Sequence, residues 1–124
     1  MTSPFKNPTG LGHVLHGIRY GLAGLRAAWQ HEDAFRQELI VVVIALPLAL
    51  LSPVAWTGKV LMIASLFFVL IVELLNSAVE SAVDHTSLER HPLAKRAKDI
   101  ASAAVLLSII NAVCVWGLLL YASA

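Results

Sequence analysis

Four polar side chains share one face of an otherwise apolar segment in the second half of the chain. They recur at steps of three and four residues and are Glu73, Asn76, Glu80 and Asp84. At 3.6 residues per turn this spacing predicts one polar stripe on a helix, with Ser77 beside it. Because acidic side chains within a membrane are costly and usually face a cavity, we expect this stripe to handle ions, protons or a substrate.

The two glutamates of the stripe are expected to lie at different depths. At about 1.5 Å per residue, Glu73 is about 20 Å from Lys59, and Glu80 is about 10 Å farther along the helix. A hydrocarbon core of about 30 Å then leaves Glu73 buried and Glu80 near the boundary with water. The pattern therefore predicts chemistry at a membrane surface, with one deep and one accessible carboxylate.

The composition indicates an integral membrane protein. The 124 residues are 58% hydrophobic, with a mean hydropathy of +0.76, which exceeds the usual apolar content of soluble domains. Nine basic and eight acidic residues give a net charge of +1, which argues against a nucleic-acid partner. The single cysteine, Cys114, excludes an intrachain disulfide, a thiolate metal cluster and a redox pair.

The chain has room for one small, all-α, membrane-embedded domain, residues 1–124. Residues 1–10 are expected to form a mobile tail. Residues 11–30 predict an interfacial amphipathic helix, because their apolar positions recur at three- and four-residue steps. An amphipathic helix packed on a soluble core is the alternative. The apolar runs predict three transmembrane helices, at residues 35–55, 57–84 and 100–121.

Basic side chains predict the orientation of these spans. They precede the first predicted span and lie between the second and the third, whereas the first connection carries only Lys59. The positive-inside rule places both basic segments in the cytoplasm and the C terminus on the opposite side. The acidic stripe then opens toward the cytoplasm, where ATP is found.

Three blocks of the sequence resemble the small prokaryotic diacylglycerol kinases. The central block is Glu73-Leu-Leu-Asn76-Ser77-Ala78-Val79-Glu80. The N-terminal block comprises Gly24-Leu-Arg26-Ala-Ala-Trp29, Glu32 and Phe35-Arg36-Gln37-Glu38. The third block is Arg96-Ala97-Lys98-Asp99 with Ser102-Ala-Ala-Val105. The resemblance extends over residues 11–121, with the blocks in matching order.

The resemblance implies a fold and an activity. It implies three transmembrane helices and a surface helix in the bacterial inner membrane, with a cytoplasmic N terminus and a periplasmic C terminus. It further implies a homotrimer whose active sites combine residues of neighbouring protomers. The implied reaction uses ATP and Mg²⁺ to phosphorylate the hydroxyl of diacylglycerol, giving phosphatidic acid and ADP.

The resemblance also implies roles for individual residues. Glu73 matches the general base, and Glu32 and Glu80 match magnesium ligands, a role that suits hard oxygen donors. The residues matched to the nucleotide are His13, Tyr20, Glu32, Glu80, Glu89, Arg90, His91, Lys98 and Asp99. The residues matched to the lipid substrate are Arg26, Trp29, Phe35, Gln37, Glu73, Asn76 and Ser102.

Several of these residues also have structural explanations. Glu73 could be a carboxylate paired between helices, and Trp29 an interfacial anchor. Asn76 could orient Glu73 or the lipid, or could form an interhelical hydrogen bond. Glu32 taken alone resembles a solvated surface charge, and the basic loop around Lys98 resembles an orientation signal.

The sequence departs from the family pattern in its nucleotide-binding part. The family commonly has an arginine where this chain has His13, and many members have a small residue at the position of Arg19. Pro92 replaces a polar loop residue. His13 and His16 are three residues apart, but without a third convergent ligand they do not predict a metal site.

Three functions are compatible with these observations. A diacylglycerol kinase is the leading interpretation, and an undecaprenol kinase with the same mechanism is the closest alternative. A non-catalytic proton-relay subunit would use Glu73 but would not require Glu32, Lys98 or Asp99. The chain lacks a Walker loop, a Rossmann fingerprint and a protein-kinase signature, so ATP is expected to bind without a standard phosphate-binding loop. This fits the composite pocket between protomers that the resemblance implies.

Overall fold

Four helices make up the part of the chain that the structure describes. It is a computed structural model, and the described residues are 10–86 and 91–124. The helices are α1 (Leu11–His31), α2 (Asp33–Leu51), α3 (Trp56–Thr86) and α4 (Pro92–Ser123). Helices α2, α3 and α4 are long and apolar enough to cross a membrane. The prediction of an all-α chain with three such helices is confirmed.

The helices and the predicted spans differ at their ends. Helix α2 ends at Leu51 rather than near residue 55. Just after its last residue, the Ser52 hydroxyl donates to the carbonyl oxygen of Ala49 at 2.7 Å. Helix α4 starts at Pro92, eight residues before the predicted span at residue 100. Proline suits a first helical turn, where backbone N–H groups have no intrahelical partner. Residues 1–9, the bulk of the predicted tail, lie outside the described residues.

Helix α3 is the central element, packed against both α2 and α4. Helix α4 runs antiparallel to it, because contacts join the two helices at opposite ends. The indole Nε1 of Trp116 donates to the carbonyl oxygen of Met62 at 3.1 Å. At the other end, Lys98 Nζ lies 3.0 Å from Asp84 Oδ1.

Two apolar clusters hold the helices together. One contains Ala28, Phe35, Val42, Leu66 and Leu70 and joins α1, α2 and α3. The other contains Ala49, Val54 and Met62 and lies toward the connection between α2 and α3. The register between α2 and α3 is therefore set by packing along most of the length of α2.

The corner between α1 and α2 is fixed by hydrogen bonds and by an ion pair between Arg36 and Asp33. Glu32 adopts an extended conformation between the two helices, and its N–H donates to the carbonyl oxygen of Ala28 at 2.9 Å. Arg36 Nη1 donates to the carbonyl oxygens of Trp29 and Gln30, at 3.0 and 3.3 Å. Because Arg36 satisfies the last carbonyls of α1, the corner holds Glu32 in a defined position.

Helix α1 is attached to the rest of the chain near its C-terminal end. Ala28 is its one buried residue. Its apolar side chains are 44–74% exposed and are Leu11, Val14, Leu15, Ile18, Leu22, Leu25 and Trp29. The chain therefore leaves the apolar face of α1 uncovered.

Candidate functional site

The candidate site is built around Glu73, which is only 4% exposed, in the middle of α3. Glu80 on the same helix and Glu32 at the corner between α1 and α2 lie close enough for their charges to act on Glu73. Three carboxylates from two separate parts of the chain therefore converge here. Two of them belong to the predicted stripe, and the α1–α2 corner brings the third to it.

Asn76 connects the stripe internally. Its Nδ2 donates to Glu80 Oε1 at 3.3 Å, and its Oδ1 is buried without a hydrogen-bond partner. Asn76 was expected to orient Glu73 or the lipid. In the structure its amide N–H orients Glu80, and its carbonyl oxygen remains available as an acceptor.

Sequence reasoning missed Glu38 as a site residue. This half-buried side chain of α2 lies close enough to Glu73 for the two charges to interact, and its Oε2 has no hydrogen-bond partner. Glu38 belongs to the N-terminal block, Phe35-Arg36-Gln37-Glu38. That block was the one signal available, because no spacing within α2 reveals which residue faces α3.

The unsatisfied polar atoms of the structure are concentrated at this place. Within residues 10–86 and 91–124, the buried side-chain atoms without a hydrogen-bond partner are Glu38 Oε2, Asn76 Oδ1 and Ser77 Oγ. All three belong to residues of the stripe or to the neighbour of Glu73 on α2. Buried polar groups in native proteins are normally hydrogen-bonded, so this concentration marks a candidate ligand-binding region.

Two cavities adjoin the carboxylates. The α2–α4 cavity, of about 610 Å³, lies between α2, α3 and α4 and is almost entirely apolar, with Gln37 and Glu38 in its lining and Trp116 farther along. The α1–α3 cavity, of about 460 Å³, lies between α1 and α3 and includes Glu32 and Ser77 in its lining. Both volumes are typical of small-molecule sites.

Glu32 and Glu80 carry the hard oxygen donors that a magnesium ion takes beside nucleotide phosphates. Mg²⁺ is usually held by one or two carboxylates, with water and phosphate oxygens completing its coordination. A protein site of three or more His, Cys, Asp or Glu ligands is not found among the residues that the structure describes. Two carboxylates per chain would leave the remaining coordination positions of the ion to water and to phosphate oxygens of the nucleotide.

The candidate nucleotide contacts at the start of α4 each have a partner outside that set. Lys98 pairs with Asp84 at 3.0 Å, and Glu80 is near enough for its charge to act on Lys98. Asp99 pairs with Lys95 at 2.6 Å. The Nδ1 atom of His91 accepts the backbone N–H of Leu93 at 3.1 Å and caps the helix.

The remaining predicted residues are exposed, belong to the apolar core or lie outside the described region. His13, Tyr20, Arg26 and Trp29 are exposed on α1, and Ser102 is exposed on α4. Phe35 is 2% exposed and packs in the apolar core that joins α1, α2 and α3. Glu89 and Arg90 lie outside the described residues.

Sequence comparisons point to one family. Residues 19–120 match the family described as "Prokaryotic diacylglycerol kinase". The chain is 48% identical over 118 residues to a diacylglycerol kinase of Pseudomonas aeruginosa, covering 95% of this chain and 96% of that protein. The corresponding values for the Escherichia coli K12 diacylglycerol kinase are 47% over 115 residues, 93% and 94%. For one from Helicobacter pylori they are 41% over 108 residues, 87% and 84%.

Proposed function

Because the chain belongs to the prokaryotic diacylglycerol kinase family, we propose that it transfers the terminal phosphoryl group of ATP to the free hydroxyl of diacylglycerol. The products are phosphatidic acid and ADP. The observation that carries the chemistry is the buried Glu73, with Glu32, Glu38 and Glu80 near enough for their charges to act on it. Phosphoryl transfer consists mainly of positioning and charge neutralisation. The carboxylates would position the alcohol and hold Mg²⁺, and that ion together with Lys98 would supply the positive charge.

Glu73 is the proposed general base. The lipid oxygen forms a bond to the γ-phosphorus, the bond from that phosphorus to the β,γ-bridging oxygen breaks, and Glu73 accepts the hydroxyl proton. The burial of Glu73 supports this role, because the alcohol of a membrane lipid approaches from the hydrocarbon side. Asn76 and Glu38 hold further polar atoms next to the same place.

Glu32 and Glu80 are the proposed magnesium ligands. When bound there, Mg²⁺ supplies positive charge that neutralises the nucleotide phosphates. Lys98, which lies near Glu80 and is partly exposed, is the proposed cation for a phosphate group. The other proposed nucleotide contacts are His13, Tyr20, Glu89, Arg90, His91 and Asp99.

The lipid is proposed to bind where the apolar cavity meets the carboxylates. Gln37 lines the α2–α4 cavity beside Glu38, and Ser102 lies on the same face of α4 as the cavity residue Ile109, two turns away. Arg26 and Trp29 on α1 are proposed to contact the polar part of the lipid. Phe35 is proposed to act through packing, since it is buried in the apolar core.

We further propose a homotrimer in the bacterial inner membrane, with the N terminus cytoplasmic, α1 in the interface and the C terminus periplasmic. Asn111 supports association between copies. It is exposed on α4, about 20 Å from Lys98 and about 15 Å from Tyr121, which places its amide deep in the bilayer. A polar amide at this depth needs a protein partner, and neighbouring subunits supply one. Active sites shared between protomers would then complete the nucleotide contacts.

The direct test is phosphorylation of lipid alcohols by the purified protein with γ-labelled ATP and Mg²⁺. Diacylglycerol and undecaprenol are offered separately in the same detergent. We expect labelled phosphatidic acid, formed faster than labelled undecaprenyl phosphate. Preferential labelling of undecaprenol would change the assigned substrate. Labelling of neither alcohol would overturn the kinase proposal and favour a non-catalytic membrane subunit.

A further inference from the structure

Three serines are buried in the part of the chain that the structure describes, and one of them behaves differently. Ser65 and Ser108 are 4% and 1% exposed, and each hydroxyl donates to the carbonyl oxygen three residues earlier, at 2.6 and 2.7 Å. Ser77 is 8% exposed, and its Oγ has no hydrogen-bond partner. A helical serine normally satisfies its hydroxyl on its own backbone, so the exception at Ser77 requires another explanation.

Ser77 lines the α1–α3 cavity, which has room for the polar part of a ligand. The cavity walls are made largely of small residues, namely Gly21, Gly24, Ala27, Ala28 and Ala78. A side-chain carbon at Gly21 or Gly24 would meet no atom within 4 Å, so both positions border open space. Ser77 therefore lines a cavity of about 460 Å³ that small side chains keep open.

The charges around this cavity favour a neutral ligand group. Its lining contains the carboxylate of Glu32 and the imidazole of His31, and no lysine or arginine is among the lining residues. The side chains of the lining supply no strong cation, so a phosphate group would depend on the magnesium ion proposed at Glu32 and Glu80. A neutral group that accepts hydrogen bonds would not be repelled and would find a donor in Ser77.

The neighbours of Ser77 on the helix indicate which group that is. Ser77 is four residues after Glu73 and three before Glu80, so its hydroxyl lies on the helix surface between the proposed base and the proposed metal ligand. Ionised carboxylates accept hydrogen bonds but donate none, whereas a serine hydroxyl donates one. The reacting hydroxyl of diacylglycerol gives its proton to Glu73, and the two ester carbonyls of the lipid are acceptors that need a donor.

From this arrangement we propose that the Ser77 hydroxyl donates a hydrogen bond to an ester carbonyl oxygen of diacylglycerol, whose polar part enters the α1–α3 cavity. This inference rests on the proposed kinase function. Ser77 is then a specificity-determining residue, because a polyprenol or an ether lipid carries no ester carbonyl. The contact favours diesters over alcohols of similar size that lack the carbonyl.

The experiment compares a diester with its diether analogue. The value of kcat/KM is measured for 1,2-dioleoylglycerol and for 1,2-dioleylglycerol diether in the same mixed micelles, at saturating MgATP. For the unsubstituted protein we expect the diester to be preferred by about three- to tenfold, as expected for one neutral hydrogen bond. The Ser77→Ala variant should reduce this ratio to about one, by lowering the value for the diester alone.

Matched controls separate this contact from a general effect of removing a buried hydroxyl. Ser65→Ala and Ser108→Ala should keep the diester preference, because those hydroxyls bond within their own helices. Ser77→Thr keeps a hydroxyl and should restore the preference. A diester-to-diether ratio that Ser77→Ala leaves unchanged would overturn the inference while the kinase function stands. Absence of any phosphorylated product from the unsubstituted protein would instead overturn the function on which the inference rests.

Discussion

The two halves of α3 treat their polar groups in opposite ways. In residues 56–72, the buried Ser65 hydroxyl bonds to Met62, and the same Met62 carbonyl oxygen also accepts the indole N–H of Trp116. In residues 73–86, Asn76 Oδ1 and Ser77 Oγ are buried without partners. The buried polar groups of the first half find hydrogen-bond partners within the chain. Those of the second half are left for a ligand to satisfy.

This difference indicates how the helix divides stability and function. A buried polar group left unsatisfied costs about 1–3 kcal/mol, so the unpartnered groups lower the stability of the half that contains Glu73. The other half is closely packed. Met62 is fully buried there against the fully buried Ala49 of α2, and a Cβ added at Gly58 would clash with Val54. Functional sites commonly sacrifice stability in this way, and the surrounding fold compensates.

Removal of the deep carboxylate is expected to have the largest effect. Glu73→Gln keeps the shape of the side chain and removes the proton acceptor, so kcat should fall by about 10²- to 10⁴-fold, which is typical of the loss of a general base. Steady-state kinetics with diacylglycerol measures this change, with Ser65→Ala as the control in the other half of α3. A Glu73→Gln variant of normal kcat would show that the two halves do not differ as proposed.

In the packed half, Met62→Ala should affect stability rather than chemistry. Met62 is 0% exposed, and its truncation should lower the free energy of unfolding by about 2–5 kcal/mol. Titration with sodium dodecyl sulfate in mixed micelles measures the loss, and kcat per folded molecule should be retained. Leu61→Ala is the matched control, because Leu61 is 56% exposed. Equal destabilisation by both variants would argue against a packed core at this end of α3.

Asn76→Ala should weaken magnesium binding in the functional half. Its Nδ2 orients Glu80, and loss of such an outer partner typically lowers metal affinity about 10- to 100-fold. The Mg²⁺ concentration at half-maximal rate should rise by this factor, with much of kcat recovered at high Mg²⁺. Leu75→Ala, at an exposed neighbouring position, should leave the magnesium curve in place. A kcat loss that magnesium does not relieve would instead assign Asn76 to Glu73 or the lipid.

The smallest effect is expected from Trp116→Phe. This change removes the indole N–H that bonds to Met62 and keeps an aromatic ring, so unfolding should become easier by about 0.6–1.7 kcal/mol. The same detergent titration applies, and Trp56→Phe at the exposed start of α3 is the control. If the two tryptophan variants lost the same stability, the bond to Met62 would not join α3 to α4.

Much of the fold could be predicted from sequence, because membrane helices are specified by long apolar runs. The runs located the central parts of α2, α3 and α4, but not the ends of α2 and α4. Apolar content indicates where a membrane is crossed, whereas a helix continues as long as its backbone groups find partners. Helix α4 therefore extends eight residues beyond its predicted span, to Pro92 and the cap at His91.

The candidate site was predictable to the extent that it lies on one helix. Glu73, Asn76 and Glu80 share a stripe because the helical period places residues three and four apart on the same side. Glu32 entered only through the resemblance, and Glu38 was missed as a site residue. Both lie far from Glu73 in the sequence and come near it only in the folded chain, so no helical spacing could reveal them.

The sequence alone therefore determined the helical stripe and the membrane character of the chain, since both depend on local period and composition. Tertiary structure alone decided that Glu32 and Glu38 approach Glu73, that Asn76 bonds to Glu80, and that Ser77 adjoins a cavity. The physical reason is that rotation and register between helices result from packing summed over the core, including Phe35, Leu66 and Met62.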